Sequence, residues 1–404
     1  MSTSLLYHGW GLRDYHHVRT LFQDGKIIFR IAHKPESLRC AFCGSEEIGW
    51  SGQKVRQFRS LPIGRKPVIL ELPIQRLCCE SCGLVRQAKL GFADPRRTYT
   101  HAFERYALDL CRHMSILDVA RHLGVSWDTI KDIQKRHLQR KYARPRLKHL
   151  RRIAIDEISI GKGHRYLTVV LDLQSGAVVF VGEGKGAASL QPFWKKLRCA
   201  GAKILAVATD MSKAYILAVA QNIPEAIHVF DRFHVIKLFN DHLAKYRRWL
   251  QRTLPDVEQR KALKGTRWLL LKNQENLDSN RNEQERLAKA LQINRPLAVA
   301  YYMKEDLRRF WEQQSKQAAT RFLADWVARA EASRVRMLIH FAKVVRDHLQ
   351  GLLAWYDCPI STAALEGTNT KIKLMQRQAY GFRDPEFFKL KIYALHEANY
   401  ASAG

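Results

Sequence analysis

The stretch "RRIAIDEISI", residues 151–160, decides the fold of the larger part of the chain. Its aliphatic residues alternate with small or polar ones, which is typical of a short buried β-strand. Two carboxylates, Asp156 and Glu157, lie in the middle of it. Because a buried unpaired carboxylate is costly, the pattern indicates a cation nearby. Neighbouring residues of a strand point to opposite faces, so these two acids are not expected to serve one site.

The residues that follow alternate between strand and helix patterns as far as residue 240. The Gln174–Gly176 turn predicts a hairpin of the second and third strands, with Asp172 as a turn residue. Helices are predicted around 190–199 and 213–221, between the later strands. The predicted strands after the first are "RYLTVVLDL", "AVVFVG", "ILAVATD" and "AIHVF".

Two further carboxylates stand where such a sheet places its chemistry. Asp210 ends the strand of "KILAVATDMSKAY" and precedes a helix, and Glu366 lies at a small, polar helix start in "STAALEGTNTKIKLMQR". Strand ends followed by helices commonly carry functional groups in α/β sheets. Carboxylates on adjacent strands and on a packed helix suit two hard divalent ions, which indicates a magnesium pair.

Other acids near these positions have two interpretations. Asp231 and His234, in "FDRFH", either assist metal or phosphate binding or form an N-cap and salt bridge that anchor a helix. Glu157 either touches DNA or, as we favour, pairs with a nearby arginine.

Composition points to a polyanionic partner. Lys and Arg number 68 against 38 Asp and Glu, a net charge of +30, and both halves of the chain are basic. Nucleic acid is the usual partner of such a surface, although a basic protein that is merely soluble is the alternative. The N-terminus lacks a secretion-signal pattern and no apolar run is long enough to span a membrane, so we expect a cytoplasmic, nucleoid-associated protein without membrane contact.

Eight cysteines in such a chain favour metal ligands and free thiols over disulfides. Two C-x-x-C-G motifs, at 40–44 and 79–83, each deliver a pair of thiolates, which predicts a tetrahedral structural Zn²⁺ in a zinc ribbon. Cys78 adjoins the second pair and is a competing ligand that the spacing disfavours. The expected ligands are Cys40, Cys43, Cys79 and Cys82.

A helix-turn-helix is predicted in "SILDVARHLGVSWDTIKDIQKRHL", residues 115–138. Gly124 ends the first helix and Ser126 caps the second. Residues 131–152 contain ten Lys or Arg and one acid, which in this place favours phosphate contacts. The residues expected to face outward, or to contact DNA, are Trp127, Thr129, Lys131, Asp132, Lys135, Arg144 and Arg146.

Together these features resemble the ISL-three family of bacterial insertion-sequence transposases, which are DDE enzymes. The resemblance covers nearly the whole chain, including "TDMSKAY", "VFDRFHVIKLFN", "LKGTRWLLLKN" and "LEGTNTKIKLMQRQAYGFRDPEFF". It implies a catalytic triad of Asp156, Asp210 and Glu366 that binds Mg²⁺ or Mn²⁺. Lys371, Lys373 and Arg377, which follow Glu366, are expected to contact DNA.

The resemblance implies an α+β multidomain fold with a ribonuclease-H-like α/β catalytic core interrupted by an all-helical insertion. The expected parts are a zinc-ribbon DNA-binding domain (1–95), a helix-turn-helix domain with basic linker (96–150), the first part of the core (151–239), the insertion (240–355) and the second part of the core (356–404).

The expected function is binding of terminal inverted repeats in double-stranded DNA, followed by metal-dependent cleavage and strand transfer into target DNA, with the protein acting as a homodimer on DNA. Two alternatives are a non-catalytic DNA-binding regulator derived from such an enzyme and a ribonuclease-H-like nuclease.

Overall fold

The computed structural model of the chain describes residues 5–161 and 163–395. The chain divides into two compact units, residues 1–141 and 142–404. The division falls inside the basic run that follows the helix-turn-helix. No helix in the described part of the chain is both long and apolar enough to cross a membrane.

The first unit begins with a mostly antiparallel five-stranded sheet. Its strand order is β1-β2-β4-β3, β5 pairs with β4, and β2 and β4 run parallel. Alternating apolar residues of β4 fill the core beneath the sheet, among them Val68, Leu70 and Leu72, which are fully buried. The elements are α1 (Leu5–Trp10), β1 (Tyr15–Gln23), β2 (Lys26–His33), β3 (Ile48–Ile63), β4 (Lys66–Cys79) and β5 (Val85–Gln87).

Apolar runs such as "KIIFRIAH" and "VILELPIQRLCC" predict short strands and turns over residues 1–95, but two of the observed strands are long. β3 has 16 residues and β4 has 14, paired over most of their lengths. Most of β3 up to Gln57 is exposed, so its sequence lacks the alternation that marks a half-buried strand. Hydrogen bonding to β4, and not a local sequence pattern, therefore keeps this part of β3 in a strand conformation.

Three helices complete the first unit and confirm the helix-turn-helix. They are α2 (His101–Leu110), α3 (Ile116–Leu123) and α4 (Trp127–Tyr142). Gly124 ends α3 with a φ of 63°, a left-handed conformation that glycine adopts without strain. The Ser126 hydroxyl accepts the Thr129 amide at 3.2 Å, as a helix N-cap does.

The second unit contains a mixed five-stranded sheet with strand order β10-β9-β6-β7-β8. β9 runs parallel to β6 and β10, whereas β6, β7 and β8 form an antiparallel meander. All five predicted strands, the hairpin and both predicted helices are confirmed. The elements are β6 (Arg152–Gly161), β7 (Arg165–Asp172), β8 (Val178–Glu183), α5 (Ala187–Ala200), β9 (Ala206–Thr209), α6 (Lys213–Asn222) and β10 (Ile227–Phe230).

A long helical stretch follows β10 and packs around its own aromatic core, which includes Phe239, Trp326 and Phe341. Gly351 allows the helical stretch to pack closely against the sheet. A Cβ at this position would lie only 2.3 Å from the Phe230 ring of β10. Its helices are α7 (Arg232–Thr253), α8 (Val257–Leu263), α9 (Arg267–Leu271), α10 (Glu283–Ile293), α11 (Arg295–Arg308), α12 (Lys316–Ala332), α13 (Arg336–Asp347) and α14 (Leu349–Leu353).

Helices cover both faces of the sheet in the second unit. The face that carries Ile153 and Ile155 packs against α5 and α6. The face that carries Ala154 and Ile158 packs against α15 (Ala363–Gln378) and α16 (Pro385–Tyr393). The alternation of β6 therefore decides which helix layer each of its side chains meets.

Candidate active site and zinc centre

The four predicted zinc ligands meet in the first unit. The Sγ atoms of Cys40 and Cys82 are 3.7 Å apart, those of Cys43 and Cys79 are 3.5 Å apart, and all four lie within 4.8 Å of one another. A tetrahedral ion with zinc–sulfur bonds of about 2.3 Å separates its sulfurs by roughly 3.8 Å. The four thiols therefore have the spacing that zinc requires.

The two knuckles have the same backbone geometry. Gly44 N–H donates to the Cys40 carbonyl at 3.0 Å, and Gly83 N–H donates to the Cys79 carbonyl at 2.9 Å. The glycines have φ values of 78° and 70°, which favour glycine at both turns. The second of each C-x-x-C pair is thereby folded back toward the first.

Backbone amides favour the thiolate form of Cys40 and Cys79, one cysteine of each knuckle, whereas the pKa values of Cys43 and Cys82 are raised. The N–H groups of Cys43 and Phe42 lower the pKa of the Cys40 thiol to about 6. The Cys82 N–H lowers the pKa of Cys79 in the same way. Because the thiolate is the form that binds metal, these contacts favour an ion in the site. Within residues 5–161 and 163–395, no other group of three or more Cys, His, Asp or Glu brings its ligand atoms this close together.

The second centre forms where β6 and β9 lie side by side. Ala154 pairs in register with Ala208 of the parallel strand β9, and both pack toward α15. Asp156 follows Ala154 by two residues and so faces the same layer. Asp210 follows Ala208 by two residues, directly after β9, so both acids follow this register pair by the same number of residues. The charge of Asp210 contributes to the raised pKa of Asp156, after the larger effect of burial.

Glu157 faces the opposite layer, and the expected pairing with an arginine was wrong. Its carboxylate accepts the Gly186 amide at 2.9 Å and the Tyr215 hydroxyl at 2.8 Å. Gly186 is the N-cap of α5 and Tyr215 belongs to α6, so Glu157 fixes that helix layer to the sheet. Burial raises the pKa of Tyr215, which keeps it a hydrogen-bond donor.

The helix α15 brings a third carboxylate to the Asp156 face. Glu366 lies in its first turn, and one turn later the Asn369 amide Nδ2 donates to Asp156 Oδ2 at 2.8 Å. Burial raises the pKa of Glu366 against the opposing effect of His234, and the charges of Asp231 and Asp156 add to the rise. Asp210 and Glu366, from distant segments, therefore each lie within electrostatic reach of Asp156.

Asp231 holds this arrangement together. It is only 2 % exposed, and it caps α7 by accepting the amides of Phe233 and His234 at 3.1 and 3.4 Å. Its other oxygen accepts the Thr362 amide at 2.9 Å, at the N-cap of α15. These contacts match the helix-anchoring interpretation of Asp231.

His234 lies between the acids. Its Nδ1 is 3.2 Å from Asp231 Oδ2, and its Nε2 is 3.9 Å from Asp156 Oδ1. Burial alone would lower the pKa of His234, but the hydrogen bond to Asp231 and the charges of Asp156, Asp231 and Asp210 raise it. When it is protonated, the His234 ring reduces the mutual repulsion of these carboxylates.

The donor chemistry of this cluster fits a hard divalent cation. Carboxylate and amide oxygens are the ligands that Mg²⁺ prefers, and the Asn369 Oδ1 beside Asp156 is buried without a hydrogen-bond partner. The raised pKa values of Asp156 and Glu366 reflect burial of negative charge that a cation would offset.

The other predicted site residues lie on two helices and a basic segment. On α4, Trp127 is exposed and the Lys131 Nζ lies 5.3 Å from its ring, while Thr129 and Lys135 are half-buried. Asp132, expected to face outward, forms an ion pair with Arg97 at 2.8 Å within the same unit. Exposed basic residues are Arg144 and Arg146 before β6, and Lys371, Lys373 and Arg377 on α15.

Two residues near the acids were not predicted. Lys237 lies one turn after His234 on α7, and its charge lowers the pKa of both Asp156 and Glu366. Asn369 lies three residues after Glu366. Both follow a predicted site residue by one helical turn, so the i,i+3 rule for helix faces would have found them.

The zinc centre, the helix-turn-helix and the acid-bearing sheet define a DNA transposase of the DDE class. The chain belongs to the ISL3 transposase family. Residues 153–392 match the family model described as "Transposase". Residues 88–138 match the helix-turn-helix domain of transposase family ISL3, and residues 36–82 match the zinc-finger of transposase IS204/IS1001/IS1096/IS1165. The family resemblance is thereby confirmed.

Similar proteins include the transposase for insertion sequence element IS1001 of Bordetella parapertussis, 34% identical over 89% of this chain and 89% of that protein. The transposase for IS1557 of Mycobacterium tuberculosis is 32% identical over 90% of this chain and 87% of its own length. Among solved structures, the Drosophila P element transposase strand transfer complex aligns with a TM-score of 0.37 and 13% identity, covering 72% of this chain and 90% of that one. A TM-score this low does not establish a shared fold.

We expect one zinc ion per chain, bound by the four cysteines. Cys43→Ser or Cys82→Ser should release it and increase hydrogen exchange across residues 1–95, because each removes one of four ligands. Cys78→Ser is the matched control, since Cys78 adjoins the second pair but lies outside the cluster, and it should keep its zinc. Elemental analysis of native protein that finds no stoichiometric zinc would contradict the assignment.

Replacing Asp231 should destabilise the second unit. Asp231→Asn should lower the free energy of unfolding by about 2 kcal/mol at neutral pH, because it removes a buried carboxylate that accepts several amide hydrogen bonds. Asp256→Asn, at the exposed N-cap of α8, is the control and should change it by less than about 0.5 kcal/mol.

The effect of Asp231→Asn should also depend on pH in a defined direction. His234 and the Thr362 amide outweigh burial and hold the pKa of Asp231 below its ordinary value of 3.8. A carboxyl with a lowered pKa stabilises the folded state above pH 4 and loses this effect as the pH falls through the folded pKa. Urea denaturation should therefore show a difference between wild type and variant that shrinks below about pH 4. A difference independent of pH would contradict this origin.

Proposed function

We propose that this transposase binds the terminal inverted repeats of its insertion sequence and catalyses cleavage and strand transfer at an acid site of Asp156, Asp210 and Glu366. The observation that carries the proposal is the register pair Ala154–Ala208, which Asp156 and Asp210 each follow by two residues, together with the hydrogen bond from Asn369 of α15 to Asp156. This arrangement supports a site formed by one acid of β6, one acid that directly follows β9 and one acid of α15.

We further propose that residues 151–239 and 356–404 form a ribonuclease-H-like core and that residues 240–355 are a helical domain inserted into it. The mixed strand order β10-β9-β6-β7-β8, with helices on both faces, supports the first part. The separate aromatic core of the helical stretch supports the second. Residues 1–95 and 96–150 would be the ribbon and the helix-turn-helix with its linker.

The three acids would hold two Mg²⁺ or Mn²⁺ ions, which when bound stabilise charge on the attacking and leaving oxygens of a phosphoryl displacement. Asn369 orients Asp156 through its Nδ2, and Asp231 fixes the start of the helix that carries Glu366. Lys237, and His234 when it is protonated, supply positive charge beside the acids, where a DNA phosphate would lie. Because Asp156 and Glu366 have raised pKa values, their affinity for cations falls as the pH drops toward those values.

The reaction needs no nucleophile from the protein. In the first step, a water oxygen attacks the phosphorus at the element's end, the bond from phosphorus to the 3′ oxygen breaks, and a 3′-hydroxyl and a 5′-phosphate result. In the second, that 3′-hydroxyl attacks a phosphorus of target DNA and displaces another 3′ oxygen. Both ends must react, so we propose that two copies of the chain act together, one at each end.

Asp156→Asn, Asp210→Asn and Glu366→Gln should each reduce cleavage of end DNA about 10³-fold or more, because each removes a charge that holds the cation. Binding to end DNA should persist, since the loss of an acid makes a basic protein no less attractive to DNA. The assay is cleavage and strand transfer on end DNA with Mg²⁺ or Mn²⁺, in which strand transfer separates a transposase from a nuclease.

Glu157→Gln is the matched control for the acid variants. It changes the neighbouring residue of the same strand, but on the opposite face, where Tyr215 and Gly186 donate to it. We expect cleavage to be retained and stability to fall by about 1–2 kcal/mol. Cleavage at the wild-type rate by Glu366→Gln would show that the third acid is wrongly assigned.

The helix-turn-helix and the basic segment should contribute differently to DNA binding. Lys131→Gln or Lys135→Gln should weaken binding to the element's own ends, whereas Arg144→Gln with Arg146→Gln should weaken binding to any duplex. The slope of log affinity against log salt should fall by about 0.9 for each phosphate that the variant no longer neutralises. Arg112→Gln, exposed at the end of α2, is the control. If all the variants keep the wild-type affinity and slope, DNA is read elsewhere.

A further inference from the structure

Two exposed tryptophans lie in the most basic part of the helical stretch. Trp249 on α7 is 56% exposed and Trp268 on α9 is 65% exposed. Residues 241–272 contain nine Lys or Arg and only three Asp or Glu. Exposed aromatic side chains within a positively charged surface are able to stack on nucleotide bases.

The backbone that carries Trp268 is firmly held. Arg247 Nη1 donates to the Leu263 carbonyl at 3.0 Å, just before this segment. The fully buried Lys304 donates through Nζ to the carbonyls of Leu270 and Lys272, both at 2.9 Å. Burying a lysine is costly, so its contacts define the path of this segment closely. Leu269 and Leu270 are buried, which turns Trp268 outward.

The aromatic rings are arranged for stacking. Trp249 stacks on Tyr246 with ring centroids 5.7 Å apart and an interplanar angle of 19°. The Arg267 guanidinium lies 4.8 Å from the centroid of the Trp268 ring. We call these four residues, Tyr246, Trp249, Arg267 and Trp268, the tryptophan platform.

The two parts of the platform lie on α7 and α9, which contact each other. Arg247, between the platform residues of α7, is bonded to the end of α8, and burial and then the charges of Arg248 and Arg267 lower its pKa. The start of α9 therefore lies within electrostatic reach of this turn of α7. Further exposed cations lie on α7 and α8, namely Lys245, Arg248, Arg252, Arg260 and, at the end of α8, Lys264.

We propose that the tryptophan platform binds unpaired nucleotides of DNA, with their bases stacked on the tryptophans and their phosphates on the cations of α7 and α8. Aromatic faces within a positive surface are the usual means of binding single strands, whereas the bases of a duplex are already stacked on each other. The idea deepens the proposed function, on which it rests, since a strand cut at an element's end is able to separate from its partner strand near the cut. The net positive charge favours a nucleic acid over a second copy of this basic chain.

The test compares single- and double-stranded DNA binding by the full chain in EDTA. Trp249→Ala and Trp268→Ala should each weaken binding to a fluorescein-labelled oligothymidylate about tenfold by anisotropy. Binding to a duplex of the same length should change far less. Tyr302→Ala is the matched control, since Tyr302 is 60% exposed on α11 of the same helical stretch. Unchanged melting temperatures would confirm that the variants are folded.

Photo-crosslinking supplies a positive readout at the same residues. An oligonucleotide containing 5-iododeoxyuridine should crosslink to the tryptic peptides 249–252 and 268–272. Crosslinks confined to other peptides, an equal loss of duplex binding, or unchanged single-strand affinity in both variants would overturn the proposal. A change of oligomeric state in sedimentation with unchanged single-strand affinity would assign the platform to a protein interface instead. Because neither assay needs a divalent ion or cleavage, a failure of the catalytic proposal would leave this result interpretable.

Discussion

The candidate acid site depends on the hydrogen bonds that the Asp231 carboxylate accepts. This carboxylate accepts amides from the first turn of α7 and from Thr362, which lies 131 positions later in the chain. Amides at helix starts carry partial positive charge and stabilise a buried anion without a lysine or arginine. Since Glu366 lies one helical turn beyond Thr362, this single side chain fixes a distant acid relative to the sheet edge.

Because successive side chains of a β-strand point to opposite faces of the sheet, the neighbouring acids Asp156 and Glu157 have different roles. Asp156 faces α15, whose Asn369 donates a hydrogen bond to it. Glu157 faces α5 and α6 and accepts hydrogen bonds from the Gly186 amide before α5 and from the Tyr215 hydroxyl of α6. The two half-buried carboxylates at the centre of the strand therefore have different surroundings: Asp156 lies in the candidate site, and Glu157 lies among hydrogen-bond donors of the opposite helix layer. A cation is therefore expected only beside Asp156, because the Gly186 amide and the Tyr215 hydroxyl already donate hydrogen bonds to Glu157.

Short sequence patterns predicted those features that depend only on residues close together in the chain. The cysteine knuckles, the Gly124 turn and the strand that carries Asp156 follow from spacing, glycine and alternation. The partners of Glu157 were missed because Tyr215 and Gly186 approach it only after the helices pack. The length of β3 was missed because its pairing with β4, not its own sequence, orders it. Likewise, the bond from Asp231 to Thr362 joins segments that no local pattern connects.

The central claim is that acids from three distant segments form one cation site on the α15 face of the sheet. The most direct test is anomalous diffraction from crystals of the full chain soaked in Mn²⁺. The account predicts anomalous density between the carboxylates of Asp156 and Asp210, near Glu366, and its loss in crystals of Asp210→Asn. Density at Glu157, or none near Asp156 in the wild-type crystals, would contradict it.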